Sequence, residues 1–220
     1  MKLLLIFLLF AIPASCQTLV QSAVHGSYTP STVHSLALPK PVVQGDFLIV
    51  FMRNCNFSTN PEQPFVDSQG STWKDTDIYH NKWHVESAIG GPLTLTFRYA
   101  NPTYCQFAIA EWSGSWVLDL ISHPLYTDDV TAGTSLPIMP SQPGELIIGF
   151  GSSDCHCAFG YDPAISPGLG FQMAALTAPL YIEYQVQALP AEIAATDFHA
   201  KEVDPIITVA AFKPKPGCKV

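Results

Sequence analysis

The chain reads as an all-β protein, a two-sheet antiparallel sandwich of jelly-roll or lectin-like type with about twelve short strands. Three observations predict this. Residues 65–114 hold apolar-rich runs separated by Asp67-Ser68-Gln69-Gly70, Ile89-Gly90-Gly91-Pro92 and Asn101-Pro102, the punctuation of an antiparallel meander. The 19 prolines and 14 glycines among 220 residues argue for many turns. No stretch carries the apolar period of an amphipathic helix, and sheets with one apolar face bury it by packing in pairs.

The first element in chain order is a leader. Lys2 precedes the apolar run Leu3 to Ile12 and the small-residue segment Pro13-Ala14-Ser15-Cys16. That run is too short for the ~20 residues that span a bilayer, so residues 1–16 read as a signal peptide for export. Cleavage after Cys16 leaves Gln17 as the N-terminus. In the competing reading Cys16 is kept and lipidated, the one membrane attachment expected of this sequence.

Residues 17–213 are expected to form a single β-sandwich domain, a length at which all-β domains commonly stay undivided. Strands are predicted at 19–25 and 33–38 around the turn Thr29-Pro30-Ser31. The run Phe47-Leu48-Ile49-Val50-Phe51-Met52 contains no polar residue, as expected of a strand covered on both faces. Gly144-Glu145-Leu146-Ile147-Ile148-Gly149-Phe150 echoes Gly45-Asp46-Phe47-Leu48-Ile49-Val50-Phe51 about 99 residues later. Because the echo ends with the strand, it is read as two central strands meeting one packing demand, in preference to fold symmetry.

Residues 94–99 alternate Thr with apolar side chains, and 105–112 place Cys105, Phe107, Ile109 and Glu111 on one face. Gln106, Ala108, Ala110 and Trp112 take the other face, and Ser113-Gly114-Ser115 ends the strand. Residues 116–134 show little periodicity. Strands resume at 135–139, 146–150, 171–176, 180–187, 193–198 and 206–212. Residues 214–220 (PKPGCKV) are a Pro-rich C-terminal tail, since alternating prolines cannot pair in a ladder.

Several of these segments together resemble a type of secreted bacterial β-sandwich module. They are Gly45-Asp46-x-Leu48, Val66-Asp67-Ser68-Gln69-Gly70-Ser71-Thr72-Trp73, Asp77-Ile78-Tyr79 and Gly90-Gly91-Pro92. Ile109-Ala110-Glu111-Trp112-Ser113-Gly114, Gly144-Glu145-Leu146, Glu183-Tyr184-Gln185 and Ala210-Ala211-Phe212-Lys213 continue the likeness, which covers nearly the whole chain after the leader. It implies a lectin-like or jelly-roll-like sandwich, found alone or in large exported surface proteins, whose own activity is unassigned. It implies no catalytic residues. Gly70-Ser71-Thr72 stands where the type usually has Gly-Asn-Thr, and the cysteines are not part of its pattern.

Composition narrows the partners. Net charge is −8 and charged residues make up 13%, which leaves no basic footprint for nucleic acid or for an anionic membrane surface. Of six cysteines, Cys55, Cys105, Cys155, Cys157 and Cys218 remain after the leader, an odd set that allows at most two disulfides. Antiparallel strands at 47–52 and 107–112 would bring Cys55 and Cys105 to one edge, with Cys155 and Cys157 near it. These four are the disulfide candidates. Cys155-His156-Cys157 is also weighed as a metal or redox motif, but zinc sites space paired cysteines more widely.

His80 and His84 have metal-pair spacing only on a helix; on a strand that spacing is about 13 Å. No residues are therefore assigned to a metal, although structural calcium from the turn acids Asp67, Asp75, Asp77, Asp128 and Asp129 is a candidate. Neither a G-x-S-x-G elbow nor the alternating carboxylates of a sandwich glycosidase occurs, and Glu111 reads as an exposed or turn-capping residue. The one sequon, Asn56-Phe57-Ser58, counts only in a glycosylating host, and a bacterial one is expected.

The aromatic residues of the central meander supply the binding candidates Trp112, Trp116, Trp83 and Tyr79, because a flat ring stacks on the apolar face of a sugar. Trp112 and Trp116 flank a turn, so at least one is expected to be exposed. The expected function is that of a non-catalytic extracellular module binding polysaccharide or surface glycan. A structural or adhesive cell-surface domain with protein partners is the alternative, and a glycoside hydrolase the remote one.

Overall fold

The computed structural model describes residues 17–53, 55, 64–77, 79–128, 130–154, 165–177 and 179–216. The leader with Cys16, the sequon at 56–58, Asp129, Cys155, Cys157 and residues 217–220 lie outside the described residues. In the first half of the chain run β1 (Leu19–Ala37), β2 (Phe47–Arg53), β3 (Phe65–Asp67), β4 (Lys74–Asp75), β5 (Lys82–Val85) and β6 (Thr94–Trp112). The second half holds β7 (Trp116–Ile121), β8 (Leu125–Tyr126), β9 (Val130–Thr134), β10 (Glu145–Asp154) and β11 (Ser166–Pro167). It ends with β12 (Gln172–Thr177), β13 (Leu180–Gln187) and β14 (Thr196–Pro214). The protein is an all-β antiparallel sandwich.

Each half of the chain builds one sheet, and both sheets have the same connectivity. The first runs β1-β6-β2-β5-β4 with β3 also on β6; the second runs β11-β14-β10-β13-β12 with β7, β8 and β9 also on β14. Thus β2, β4, β5 and β6 correspond to β10, β12, β13 and β14, while β1 corresponds to the broken series β7 to β9. Ladder positions agree as well. Phe47 faces Trp112 and Ile49 faces Ala110 across one central ladder, as Leu146 faces Phe212 and Ile148 faces Ala210 across the other. Gly45 and Gly144, with φ of +91° and +77°, make the same turn into the central strand in a region that suits glycine. The sequence echo is therefore the legible part of a repeat of the fold, which corrects its reading as coincident packing demand.

Among the described residues fourteen strands occur, three of them 19 residues long where short ones were expected. Thr29-Pro30-Ser31 lies inside β1, and Asn101-Pro102 lies opposite it inside β6. The register slips there between Ser27↔Cys105, Ser31↔Thr103 and Val33↔Arg98, so both prolines sit where ladder bonds are already broken. The segment 116–134 is not loose: its three short strands line up in series along β14. Ile138 and Ile193 meet only as an isolated bridge, and Pro214, placed in the tail by sequence, closes β14 opposite Trp116.

Burial follows the alternation of β2. Phe47, Ile49 and Phe51 point between the sheets into a shared core with Leu146, Ile148, Phe150, Ile182 and Phe212. Leu48, Val50 and Met52 point outward into a second core, covered by Phe65, Trp73, Trp83 and Phe97. Across the interface the Phe47 and Phe212 rings lie 4.8 Å apart and those of Phe51 and Phe150 5.5 Å. A Cys55–Cys105 disulfide ties the segment after β2 to β6. Its sequence separation of 50 closes a long loop, so the Cys55→Ala/Cys105→Ala variant should lose about 2–4 kcal/mol in urea unfolding relative to the oxidised protein.

Candidate ligand cleft at the seam of the two sheets

The connection from β4 to β5 is shaped by its acids. Asp75 Oδ1 accepts the Asp77 amide at 3.2 Å, and Asp77 Oδ1 accepts the Tyr79 amide at 3.2 Å, a pair of Asx turns in succession. They deliver His80 in the left-handed region, φ +54°, where no other described non-glycine residue sits. That strained backbone is held from two sides. The Trp83 indole N–H donates to the His80 carbonyl at 3.0 Å, and the His80 Nδ1 meets the Asp75 carboxylate. Tyr79, beside the strained residue, is 54% exposed.

Lys82 begins β5 and is buried. Its Nζ donates to Asp77 Oδ2 at 2.6 Å and to Asn81 Oδ1 at 2.8 Å. It also lies 5.3 Å from the Phe51 ring centre and 5.8 Å from that of Phe150, one ring from each half. Desolvation lowers the Lys82 pKa while Asp77 opposes the shift, so the amine is held by its ion pair against an apolar wall.

Above it opens a cleft of about 580 Å³ between the two halves. The first half supplies Arg53, Tyr79, Asn81 and Lys82, and the second Tyr126, Ser152 and Thr208. A smaller hollow of about 360 Å³ adjoins it, walled by Asp75, His80 and His123 and sharing Tyr79 and Pro124 with the first. Tyr126 is 53% exposed. Such a volume, with apolar walls and a few convergent polar groups, suits a small-molecule or glycan segment.

Of the four aromatic candidates, the structure brings Tyr79 alone to this cleft. Trp112 and Trp116, expected to flank an exposed turn, are both fully buried in the core between the sheets. The chain reverses at Ser113–Ser115 and enters the opposite sheet, so both flanking positions face inward, and the Trp116 indole N–H caps the turn at the Ser113 carbonyl, 3.1 Å away. Trp83 is buried in the outer core and acts on the cleft only through its bond to His80. The other wall, from Pro124 to Thr208, carries no signal in the sequence, because only the packing of one half on the other brings it there.

His80 and His84 have separate partners: His84 bonds Thr76 Oγ1 at 2.9 Å, and burial lowers its pKa to about 4. Glu111, expected as an exposed or turn-capping residue, is fully buried and accepts the loop amide of Val43 at 2.8 Å. Asp46 lies close to it, and burial pushes the Asp46 carboxyl up to about 6. Among the calcium candidates, Asp67 accepts the amides of Gln69, Gly70 and Ser71 and the Trp73 indole. With Asp75 and Asp77 engaged as above, these oxygens face N–H donors. No group of three or more metal-ligating side chains occurs among the described residues.

A second cluster lies on the outer side of the second sheet. Where the first half pairs Val50 with Trp83, the second pairs Gly149 with Glu183, and Asp197 and His199 lie beside them. Asp197 Oδ2 accepts the Tyr181 hydroxyl at 2.7 Å and the His199 Nε2 at 2.6 Å, and Oδ1 accepts the Gly133 amide at 2.9 Å. Glu183 takes the Gly168 amide at 2.9 Å on one oxygen and no hydrogen bond on the other. Gly149 and Gly151 leave the space these side chains fill, since a Cβ on Gly151 would lie 1.8 Å from the Tyr181 ring. Glu183 and Asp197 are wholly buried, so this constellation is closed to a substrate.

No protein-family model, curated protein or solved structure matches the chain.

Burial, with Asp197 nearby, raises Glu183 from 4.5 to about 8. The folded state thus keeps a proton that the unfolded chain releases near 4.5, so its stabilising effect is complete at low pH and is lost as pH rises through about 8. His84, whose folded pKa lies below its ordinary 6.5, has the opposite slope, and that ends near pH 6.5. Between pH 6.5 and 8 thermal stability should therefore fall, by on the order of 2 kcal/mol. The Glu183→Gln variant should have a flat profile across this window in calorimetric melts.

Proposed function

We propose that the protein is an exported, non-catalytic carbohydrate-binding module whose ligand lies in the cleft between the sheets. The observation that carries this reading is the pairing of two half-exposed tyrosines, Tyr79 and Tyr126, with a polar floor of Asn81, Ser152 and Thr208 in one cleft. Rings of this kind cover the apolar face of a sugar, and amide and hydroxyl groups bond its hydroxyls. Export is supported by the leader-like residues 1–16 and by the Cys55–Cys105 disulfide, a bond suited to an oxidising compartment. Burial of Glu183 and Asp197 weighs against a hydrolase.

Retention on immobilised polysaccharides tests the reading, with wild type and Tyr79→Ala/Tyr126→Ala run side by side. Each ring contributes about 0.5–1.5 kcal/mol beyond its area burial, so the double variant should bind roughly tenfold more weakly or worse. Since Asp67, Asp75 and Asp77 are engaged by N–H donors, retention should be the same with chelator as with calcium. A wild type that no glycan retains, or a double variant retained like wild type, would contradict the assignment.

A further inference from the structure

Resting on the carbohydrate reading, we infer that the ligand is a linear, uncharged polysaccharide chain that spans both hollows of the seam, not a single sugar held in one of them. The two hollows adjoin and share the walls Tyr79 and Pro124. Each is lined by both halves: Asn81 and Tyr79 face Tyr126 and Ser152 in the larger, and Asp75 and His80 face Ser122 and His123 in the smaller. The binding surface therefore follows the seam between the sheets, and an elongated ligand lies along it. At about 580 and 360 Å³, each hollow has the volume of a binding site in its own right.

Tyr79 is the feature that joins them. It is exposed, it belongs to both hollows, and its place next to strained His80 is fixed by the Trp83 and Asp75 contacts. A ring so placed stacks where one unit of the chain passes into the next, while Tyr126 serves the larger hollow alone. The charges point to an uncharged polymer. The charged groups of these walls are engaged within the protein, Lys82 by Asp77, His80 by Asp75 and the Arg53 guanidinium by the Ser153 carbonyl, with the neutral groups Asn81, Ser152 and Thr208 beside them for the ligand.

The test begins with retention of the full chain on cellulose, xylan, galactomannan, β-1,3-glucan and starch, and on the polyuronates pectate and alginate. Affinity is then measured by calorimetry for the di- to hexasaccharide series of the glycan retained. The expected result is retention on a neutral polymer, with at least a tenfold gain in affinity between the disaccharide and the pentasaccharide. Tyr79→Ala should abolish that gain, whereas Tyr104→Ala, an exposed tyrosine of β6 outside the cleft, should preserve it. Neutral-glycan binding that is as tight for the disaccharide as for the pentasaccharide overturns the spanning inference and leaves the carbohydrate reading standing. Retention on the polyuronates alone overturns the uncharged assignment. Retention on none of the polymers overturns the carbohydrate reading and this inference with it.

Discussion

The two central strands, β2 and β10, must be buried on both faces, and the rest of the architecture follows from that requirement. Each presents alternate side chains to the partner sheet and to an outer core belonging to its own half. Burying a Phe, Leu or Ile is worth roughly 1.5–3 kcal/mol, so the continuous apolar runs at 47–52 and 146–150 commit the chain to a four-face arrangement. The outer cores draw β3, Trp73 and Phe97 over one sheet, and Phe171, Ala195 and Ile207 over the other. The inner core fixes the sheets face to face, and the cleft opens between them at Phe51, Met52 and Arg53 of β2 and at Phe150 and Ser152 of β10.

The repeated fold supplies its own control. One interior holds the cross-strand pair Val50 and Trp83, and the equivalent one the pair Gly149 and Glu183 with Asp197 and His199 beside it, while strand order is kept. A polar interior is thus not required by the fold. Burying acids is costly unless they are hydrogen-bonded, and Asp197 is bonded by three donors, whereas Glu183 escapes the cost by staying protonated. The second half therefore exchanges apolar packing for a network whose stability depends on pH.

Local patterns that depend on neighbours in the sequence were legible. The doubly covered strand at 47–52, the alternation at 105–112, the Asp67 turn and the placing of Cys55 and Cys105 at one edge all follow from spacing and residue type, whereas the pairing of the two is seen only in the structure. What depends on chain path was not. Thr29-Pro30-Ser31 looks like a turn, yet it is a slip in one long strand because β6 carries a matching proline opposite. The weakly periodic 116–134 looks like a loop because its pairing partner, β14, lies far along the sequence. For the same reason Trp112 and Trp116 look exposed beside a polar turn, although that turn hands the chain from one sheet to the other. Tyr79 was legible as an aromatic beside turn residues; Tyr126, Ser152 and Thr208 were not, since they reach the cleft only when the halves pack.

The central claim is that one ligand is held by both halves along their seam. It is tested most directly by mapping amide chemical shifts of the isotopically labelled protein during titration with the retained glycan. Residues 79–82 of the first half and 122–126 and 152 of the second should shift together and saturate along one binding curve. Shifts confined to one half, or centred on a face remote from Tyr79 and Tyr126, would contradict the account.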